Sequence, residues 1–528
     1  MTAQLDQLLK KYVREDQAFG PADAADVTEP MCAAALFDWN NQAFAELLVG
    51  SDVLVGRRGS GKSSLLRTFP ARKYLTTEFR SDEARGFRDR YHISAKVLSR
   101  IPDFVVDVDT PKQVNELESY CVTQPVVPPV EMLASMWRRR LWWLIGQELQ
   151  KADGPLWDKL PEPLRRYITN RDIAATVEGS ASNNELSAGG YIAQLEDFLL
   201  ANNARVVVTF DNVEQHTFKP VQNAVLGGLI AATGKFIGAQ HPSVDVKLCL
   251  PAELFRELQR IAFRPDKDFH RIQYLHWNAA ELLHLAARRL RIYLSLWDHD
   301  EFDLIKDKGI TDRTSLMDFW HRYLPQKITN SVDVEEDTFT YILRHTQMLP
   351  RQLIAVLNAI CRRFRRNGGQ LFARQFTGQD IIKGIEDTED QNTHAVLMMF
   401  RPLFNEVDDL FQAVLPRLRR EFDYGFLQSI WQSSAKIYME RMNKPDFISF
   451  WRLMLATGAM GLKMPEQKSA VYSTARFEFN TKHSISISDK DSLCIHPMFS
   501  RIYNLERKRD LKLILPRGSD FLAELEKL

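Results

Sequence analysis

An eight-residue segment, Gly56–Ser63, constrains the fold of this chain more than any other part of its sequence. It reads Gly-Arg-Arg-Gly-Ser-Gly-Lys-Ser, with the apolar run Val53–Val55 before it and the helix-forming stretch Ser64–Thr68 after it. The N–H groups of such a glycine-rich turn, together with the free N–H groups and positive end of the following helix, form a site for anions. The pattern therefore predicts a phosphate-binding loop between a buried strand and a helix.

The spacing also assigns roles within the segment. We expect the Lys62 ammonium to contact the β- and γ-phosphates of ATP, and the Ser63 hydroxyl to bind Mg²⁺. The rest of the predicted phosphate cradle consists of Gly56, Arg57, Arg58, Gly59, Ser60, Gly61 and Ser64. ATP and Mg²⁺ are thus the expected cofactors, and a glycine-rich turn that binds nothing is the alternative.

A second apolar run ends in an acid. The segment Arg205–Asp211 reads as a buried strand with the Asp211 carboxylate at its C-terminal tip. We expect this strand to neighbour the loop, so that Asp211 at its tip faces the phosphates and organises Mg²⁺. A helix cap or a turn residue is the alternative role for Asp211.

The position directly after this acid, where a catalytic base usually stands, is occupied by Asn212. Glu214 follows two residues later, and we take it as the candidate that orients the attacking water. A solvated loop acid is the alternative. The sequence therefore supports nucleotide binding more directly than hydrolysis.

Strands and helices alternate through the first half of the chain. Further β-like runs cover Phe104–Val108, Val244–Leu250 and Arg271–Trp277, with helical patterns such as Val130–Leu149 between them. This alternation predicts the α/β fold of a P-loop NTPase with a doubly wound parallel sheet. After Trp297 the pattern predicts helices only, which we interpret as a helical lid.

The C-terminal region differs again. Helices near Leu410, Phe426 and Phe450 precede two β-like runs, Arg476–Phe479 and Ser484–Ser488, an order typical of an α+β winged-helix-like domain. We therefore divide the chain into an N-terminal helical segment (1–45), a P-loop core (46–296, with an insertion at about 70–200), a helical lid (297–394) and a winged-helix-like domain (395–528).

Charge and cysteine content limit the functional classes. The chain has 528 residues with 69 Lys and Arg against 68 Asp and Glu, so its net charge of +1 creates no overall field that would attract nucleic acid or an acidic membrane. The five cysteines are far apart, which disfavours a zinc site and a disulfide framework. No signal peptide or bilayer-length apolar run is present. We expect a soluble, cytoplasmic protein with no membrane partner.

The segment Met348–Asn358, which contains Pro350-Arg351, resembles the sensor-2 helix of AAA+ and STAND ATPases. More broadly, the chain is similar to a bacterial family of P-loop ATPases of unassigned role, close to the STAND and KAP groups. The resemblance rests on Phe19–Pro21, Gly56–Ser64, Asp211–Glu214, Pro350-Arg351 and Cys494–Phe499. It implies an ASCE-class ATPase in which Arg351 reports the γ-phosphate to the lid. A surface ion pair is the alternative role for Arg351.

The chain also departs from that family pattern. The end of the Val244 strand offers Cys249, Leu250 and Pro251 where AAA+ proteins usually have a polar residue, which favours a slow switch over a motor. The resemblance further implies an arginine finger that acts on a neighbouring subunit of a homo-oligomer. Arg264 is the candidate, ahead of Arg260 and Arg271, and an ordinary surface arginine is the alternative for each.

Two other patterns bear on the choice of function. Leu186–Gly190 resembles the ABC-transporter signature, but the residues expected after the strand acid are missing, so an ABC-like ATPase stays an alternative only. Dense positive patches make DNA contact through the C-terminal region a second option: Arg362, Arg363, Arg365, Arg366, Arg417, Arg419 and Arg420. The expected recognition segment, Phe447–Leu462, carries Arg452 as its single cation, which favours a protein partner.

These observations favour a nucleotide-gated switch ATPase that couples its nucleotide state to oligomerisation or partner binding. The STAND resemblance adds bacterial defence against phage as one setting. An ATP-dependent DNA-binding regulator of the origin-recognition type and a protein-interaction scaffold are the competing classes.

Overall fold

The computed structural model describes residues 2–37, 53–68, 102–152, 154–170, 173–178, 188–213, 219–239, 241–262, 264, 272–310, 313–366, 371–372, 375–465, 471–480, 484–503, 505 and 512–519. The chain forms two compact units. The parallel-sheet unit contains Trp39–Arg58 and Lys62–Leu275. The helical unit contains Met1–Asp38, Gly59–Gly61 and His276–Leu528.

Five parallel strands form the centre of the parallel-sheet unit, as the sequence predicts. They are β1 (Val53–Gly56), β2 (Phe104–Val108), β3 (Val206–Phe210), β4 (Val244–Pro251) and β5 (Ile272–Leu275). Their order across the sheet is β2-β3-β4-β1-β5, and every neighbouring pair is parallel. Strands β1 and β3 are buried along their whole length, as expected for continuous apolar runs that are covered on both faces.

The lateral order of the strands places β3 two positions away from β1. Strand β4 lies between β1 and β3, so the strand that ends before Asp211 does not neighbour the strand of the phosphate loop. Each of these strands is a short apolar run, and nothing in their composition distinguishes a neighbour of β1 from the next strand across. The register nevertheless aligns the strand ends, with Pro251 opposite Gly56 and Leu248 opposite Phe210.

The helices of the parallel-sheet unit lie between its strands in the sequence. They are α3 (62–68), α4 (Thr110–Val122), α5 (Val130–Lys151), α6 (Pro155–Lys159), α7 (Glu162–Thr169), α8 (Ile173–Glu178), α9 (Ala188–Ala201), α10 (Pro220–Ala239) and α11 (Phe255–Ile261). Helices α5 and α10 pack closely, because a Cβ atom at Gly228 would come within 2.6 Å of the Leu133 Cβ. The Trp137 indole N–H donates to the Val225 carbonyl across the same contact, at 2.8 Å.

The N-terminal segment belongs to the helical unit. Helices α1 (Thr2–Tyr12) and α2 (Pro30–Leu36) lie here, and residues 38–45 of the predicted helical segment lie outside the described ranges. The Arg289 guanidinium donates to the carbonyls of Phe19 (3.0 Å), Pro21 (2.8 Å) and Leu36 (3.1 Å). Burial, together with the neighbouring charge of Arg288, lowers the pKa of Arg289 to about 9. These backbone contacts fix the segment in place.

The middle of the helical unit contains helices and a β-hairpin. Its helices are α12 (Ala279–Trp297), α13 (His299–Ile305), α14 (Arg313–His321), α15 (Thr338–Arg344), α16 (Pro350–Arg366) and α17 (Gly378–Met398). An antiparallel hairpin of β6 (Lys327–Thr329) and β7 (Glu335–Asp337) corrects the expectation of helices alone. Strand β7 is the acidic run Glu-Glu-Asp, and its Glu336 side chain is fully buried against Arg344.

The C-terminal part of this unit combines helices with a second five-stranded sheet. The helices are α18 (Val407–Val414), α19 (Tyr424–Ile430), α20 (Lys436–Arg441), α21 (Phe447–Ala456) and α22 (Pro497–Ser500), with a π-helical turn at Trp431–Ala435. The strands are β8 (Glu421–Asp423), β9 (Met460–Lys463), β10 (Tyr472–Arg476), β11 (Ser492–Ile495) and β12 (Leu513–Pro516), in the order β12-β10-β9-β11-β8. No described helix is long and apolar enough to cross a lipid bilayer.

The two expected β-like runs of this region are wrong in position. The strand ends at Arg476 and does not cover Phe477–Phe479, and Ser484–Ser488 has no regular secondary structure. The serine and isoleucine alternation of that segment has another cause. Ile485 is buried in the apolar core of the region, and its carbonyl accepts a hydrogen bond from Arg452 at 2.9 Å.

Candidate functional site

The phosphate loop has the backbone that its glycines predict. Strand β1 ends at Gly56, and helix α3 begins at Lys62. Gly59 and Gly61 have φ angles of +87° and +99°, in the left-handed region that residues with a Cβ atom adopt only with strain. The sequence therefore folds into a tight turn between the strand and the helix at this point.

Lys62 is oriented across this turn. Its side-chain nitrogen donates to the carbonyl oxygens of Gly56 (2.7 Å) and Arg57 (3.1 Å), and the residue is only 6% exposed. Both acceptors are neutral, so the ammonium charge has no carboxylate partner in these two contacts. A phosphate group would therefore be a stronger ligand for Lys62 than the carbonyls it contacts.

The two predicted Mg²⁺ ligands meet. The Ser63 hydroxyl donates to Asp211 Oδ2 at 2.5 Å, although β4 separates β1, which leads into the loop, from β3, which ends before Asp211. A hydroxyl and a single carboxylate fit Mg²⁺, which commonly takes one or two protein oxygens and completes its shell with phosphate oxygens and water. Among the described residues there is no group of three or more His, Cys, Asp or Glu side chains that could hold a metal by itself.

The strand order β2-β3-β4-β1-β5, the glycine-rich loop after β1 and the contact between Ser63 and Asp211 belong together. The fold is that of an α/β P-loop NTPase.

A third residue of the parallel-sheet unit, Glu253, was missed by sequence reasoning. It follows β4, its side chain is 2% exposed, and its Oε1 accepts a hydrogen bond from the Arg58 N–H at 3.0 Å. The same oxygen lies 3.4 Å from Arg57 Nε, while Oε2 is buried with no hydrogen-bond partner within the described part of the chain. A buried carboxylate thus fixes the first half of the loop. The sequence signal was its position two residues beyond Pro251, where the strand ends.

We expect Glu253→Gln to lower the free energy of unfolding by about 1–2 kcal/mol, because the amide keeps an acceptor for Arg58 but loses the charge that faces the buried Arg57. Urea denaturation measures this. Glu257→Gln in α11 is the matched control: the Glu257 side chain is one-third exposed and pairs with the exposed Arg260, so its change should stay within about 0.5 kcal/mol. Equal effects of the two substitutions would contradict this role of Glu253.

Arg351 lies against the loop within the helical unit. Its N–H, in the first turn of α16, donates to the Gly59 carbonyl at 3.3 Å. A Cβ atom at Gly59 would stand 3.1 Å from the Arg351 Cβ, so the contact needs a glycine. The guanidinium itself points elsewhere, since Nη2 lies 2.8 Å from Asp23 Oδ2. The Arg351 side chain thus forms the ion pair of the alternative, while its role as a γ-phosphate sensor stays a prediction.

Trp277 is a second residue that the sequence did not single out. Its indole N–H donates to the Ser60 carbonyl at 2.7 Å, and its ring lies 3.9 Å from the position of a Cβ at Gly61. The expected strand Arg271–Trp277 placed this residue in the sheet, but β5 ends at Leu275. Trp277 instead supports the carbonyl side of the loop.

The other catalytic candidates, Glu214 and Arg264, differ in whether the structure describes their surroundings. Glu214 lies outside the described residues, as does Arg271. Arg264 is exposed, with its Nη2 3.9 Å from Glu131 Oε1, and Arg260 pairs with Glu257 at 2.6 Å. A finger that acts on another subunit would have to be accessible, so Arg264 keeps that role as a prediction. Ser64 lies in α3 directly after the loop.

Comparisons with known proteins give limited further information. No protein-family model matches the chain. It is 22% identical over 494 residues to the putative transposon gamma-delta 80.3 kDa protein of Escherichia coli strain K12, an alignment that covers 86% of this chain and 62% of that protein. The chain thus spans less than two thirds of the length of this relative.

Several solved structures are similar to this chain at low TM-scores. The ORC2 protein of Aeropyrum pernix in its ADPNP-ADP complexes has a TM-score of 0.35 and 12% identity, covering 90% of this chain and 91% of that one. Cdc6p from Pyrobaculum aerophilum has a TM-score of 0.28 and 9% identity (93% and 99% covered). Drosophila ORC bound to DNA has a TM-score of 0.27 and 10% identity (92% and 94% covered). The fold assignment above rests on the strand order and the loop, independently of these scores.

Proposed function

We propose that this protein binds ATP with Mg²⁺ and hydrolyses it slowly, acting as a switch whose nucleotide state controls oligomerisation or partner binding. The contact between the Ser63 hydroxyl and the Asp211 carboxylate carries this proposal. It joins the two expected metal ligands beside a loop whose lysine is buried and donates to two neutral carbonyls. Bacterial defence is one setting in which such a switch would act.

The residues of the site then have separate tasks. Loop N–H groups bind the phosphates, and Lys62 moves from the Gly56 and Arg57 carbonyls to the β- and γ-phosphate oxygens. Ser63 and Asp211 would hold Mg²⁺, which neutralises charge on the phosphates when it is bound. Glu214 orients the attacking water and accepts its proton.

Slow turnover is supported by the end of β4. Cys249 and Leu250 are 1% and 0% exposed, and neither side chain offers an oxygen or nitrogen that could orient the γ-phosphate or the attacking water. Faster hydrolysis would require a group from a second copy. The exposed Arg264 is our candidate for that group in a homo-oligomer.

Isothermal titration of the full chain with ATP and ADP, in Mg²⁺ and in EDTA, tests the proposal. We expect one nucleotide per chain, with tighter ATP binding in Mg²⁺ than in EDTA, because the terminal phosphates then share the ion with Ser63 and Asp211. Failure to bind either nucleotide at millimolar concentration, with the protein folded, would refute the proposal.

If Glu214 is the base, Glu214→Gln should bind ATP with wild-type affinity and hydrolyse it at least about tenfold more slowly, a modest effect for loss of a general base. Single-turnover measurement of phosphate release checks this. Asp211→Asn is the informative comparison, because it should weaken the Mg²⁺ dependence of binding itself. Unchanged turnover in Glu214→Gln would move the role to another acid or to a partner subunit.

The partner of the switch is proposed to be a protein rather than DNA. In α21 (Phe447–Ala456) the guanidinium of Arg452 donates to the Ile485 carbonyl and stacks over the Trp451 ring, so it is already engaged within the chain. The basic run at the end of α16 is also partly neutralised, with Arg365 2.6 Å from Glu15. DNA recognition normally needs several cations directed at phosphates.

A further inference from the structure

The Arg351 guanidinium is only partly satisfied. Its Nη2 pairs with Asp23 Oδ2 at 2.8 Å, with side chains 32% and 44% exposed. Its Nε is buried and has no hydrogen-bond partner in the described part of the chain. The N–H of the same residue is bound to Gly59 of the phosphate loop, so the side chain begins beside the loop and ends on a carboxylate.

Asp23 is positioned for this contact by its surroundings. Its Oδ1 caps the 3-10 turn Ala24–Asp26 by accepting the Ala25 N–H at 3.0 Å, which leaves Oδ2 for Arg351. The residues before it are tied to the same helix as Arg351: the Asn358 side chain accepts the Phe19 N–H and donates to the Gly20 carbonyl, both at 2.9 Å. The pairing therefore follows from the fold of the N-terminal segment.

We propose that Asp23 determines the discrimination between ATP and ADP by competing with the γ-phosphate for Arg351. This inference rests on the proposed nucleotide site. Because the backbone of Arg351 is fixed at Gly59, only its guanidinium has to move between the two anions. A terminal phosphate carries more charge than a carboxylate and offers oxygens to both Nη2 and the unmet Nε. ADP lacks this group and leaves the ion pair with Asp23 intact.

The size of the expected change in ATP affinity follows from the exposure of the ion pair between Arg351 and Asp23. Partly exposed ion pairs contribute up to about 1 kcal/mol, which corresponds to a factor of about five in an equilibrium constant. We therefore expect Asp23→Asn to raise ATP affinity about two- to fivefold and to leave ADP affinity unchanged. Asparagine is as good a helix cap as aspartate, so the turn should be preserved.

Isothermal titration of the full chain with MgATP and MgADP tests the inference. The proteins compared are wild type, Asp23→Asn, Arg351→Ala, the double variant and Asp26→Asn, a control that removes an exposed acid from the same turn. Asp23→Asn should favour ATP selectively, the effect should vanish in the Arg351→Ala background, and added salt should reduce the difference from wild type. Asp26→Asn should match wild type for both nucleotides.

Three results would overturn the inference. A lower ATP affinity in Asp23→Asn would mean that Asp23 orients Arg351 toward the nucleotide, and equal changes for ATP and ADP would mean that the pair supports folding only. Persistence of the gain without Arg351 would show that Asp23 repels the nucleotide directly. By contrast, a wild-type protein that binds neither nucleotide would refute the proposed function itself, so the two failures are distinguishable.

Discussion

Replacing Lys62 with alanine is expected to weaken MgATP binding by at least about a hundredfold. The ammonium is buried inside the loop and would contact two phosphate groups, and each hydrogen bond to a charged group contributes about 1.5–3 kcal/mol. Two such bonds give about 3 kcal/mol or more, which is a factor above one hundred in the dissociation constant. Isothermal titration of the full chain measures the loss directly.

Folding must be checked in the same experiment. Lys62 also donates to the Gly56 and Arg57 carbonyls, so its removal takes one hydrogen bond from each of them and should lower the thermal midpoint slightly. Lys306→Ala is the control, because that lysine is half-exposed and pairs with Asp303 on the surface. Equal ATP affinity of wild type and Lys62→Ala, with both proteins folded, would remove the phosphate-loop assignment.

The largest effect on stability is expected from Arg344→Ala, which should lower the free energy of unfolding of the helical unit by about 3–5 kcal/mol. Arg344 donates two hydrogen bonds of 2.9 Å to the Glu336 carboxylate, and the two side chains are 4% and 0% exposed. Asn330 and Tyr472 also donate to Glu336. Without the guanidinium a buried charge loses its counter-ion, which is more costly than losing the hydrogen bonds alone.

The free energy of unfolding should change with pH in opposite directions in the wild type and in Arg344→Ala. Burial raises the pKa of Glu336, but the charge and hydrogen bonds of Arg344 outweigh it and hold the pKa below the ordinary 4.5. The pair therefore stabilises the wild type fully above about pH 4.5, and this contribution is lost as the pH falls through the lowered pKa. In Arg344→Ala the carboxylate is buried without its counter-ion, so the variant should recover stability as the pH falls from 7 towards 5.

Urea denaturation at pH 7 and pH 5 measures both effects. Lys327→Ala is the matched control in the same hairpin, since Lys327 and Glu335 are about 60% exposed and their pair should contribute less than about 1 kcal/mol. An Arg344→Ala variant no less stable than Lys327→Ala would contradict the role assigned to the buried pair.

The sequence predicted the strands of the parallel sheet well, because their burial requires a pattern that is visible in consecutive residues. Strands buried on both faces must be continuous apolar runs, so β2, β3 and β4 were located to within about a residue. The loop was predicted because its glycines carry the positive φ angles that the turn needs. The contact between Ser63 and Asp211 followed from the same pattern.

The rest of the site depends on contacts between residues that are far apart in the chain. Glu253 binds a backbone N–H 195 positions earlier, and Trp277 binds a carbonyl 217 positions earlier. Asp23 looks like an ordinary turn acid until the fold brings Arg351 to it. No local pattern distinguishes such residues from surface acids or core aromatics, because their role is set by the partner and not by their neighbours in sequence.

Two buried carboxylates, Glu336 and Glu389, connect residues 297–394 to the C-terminal region. Glu389 of α17, 1% exposed, pairs with His345 at 2.6 Å and with Arg501, and Glu336 accepts a hydrogen bond from Tyr472 at 3.0 Å. A chain cut near residue 395 would leave both carboxylates facing solvent or an empty space on one side. We therefore expect residues 395–528 to unfold together with α15 and α17 rather than as an independent domain.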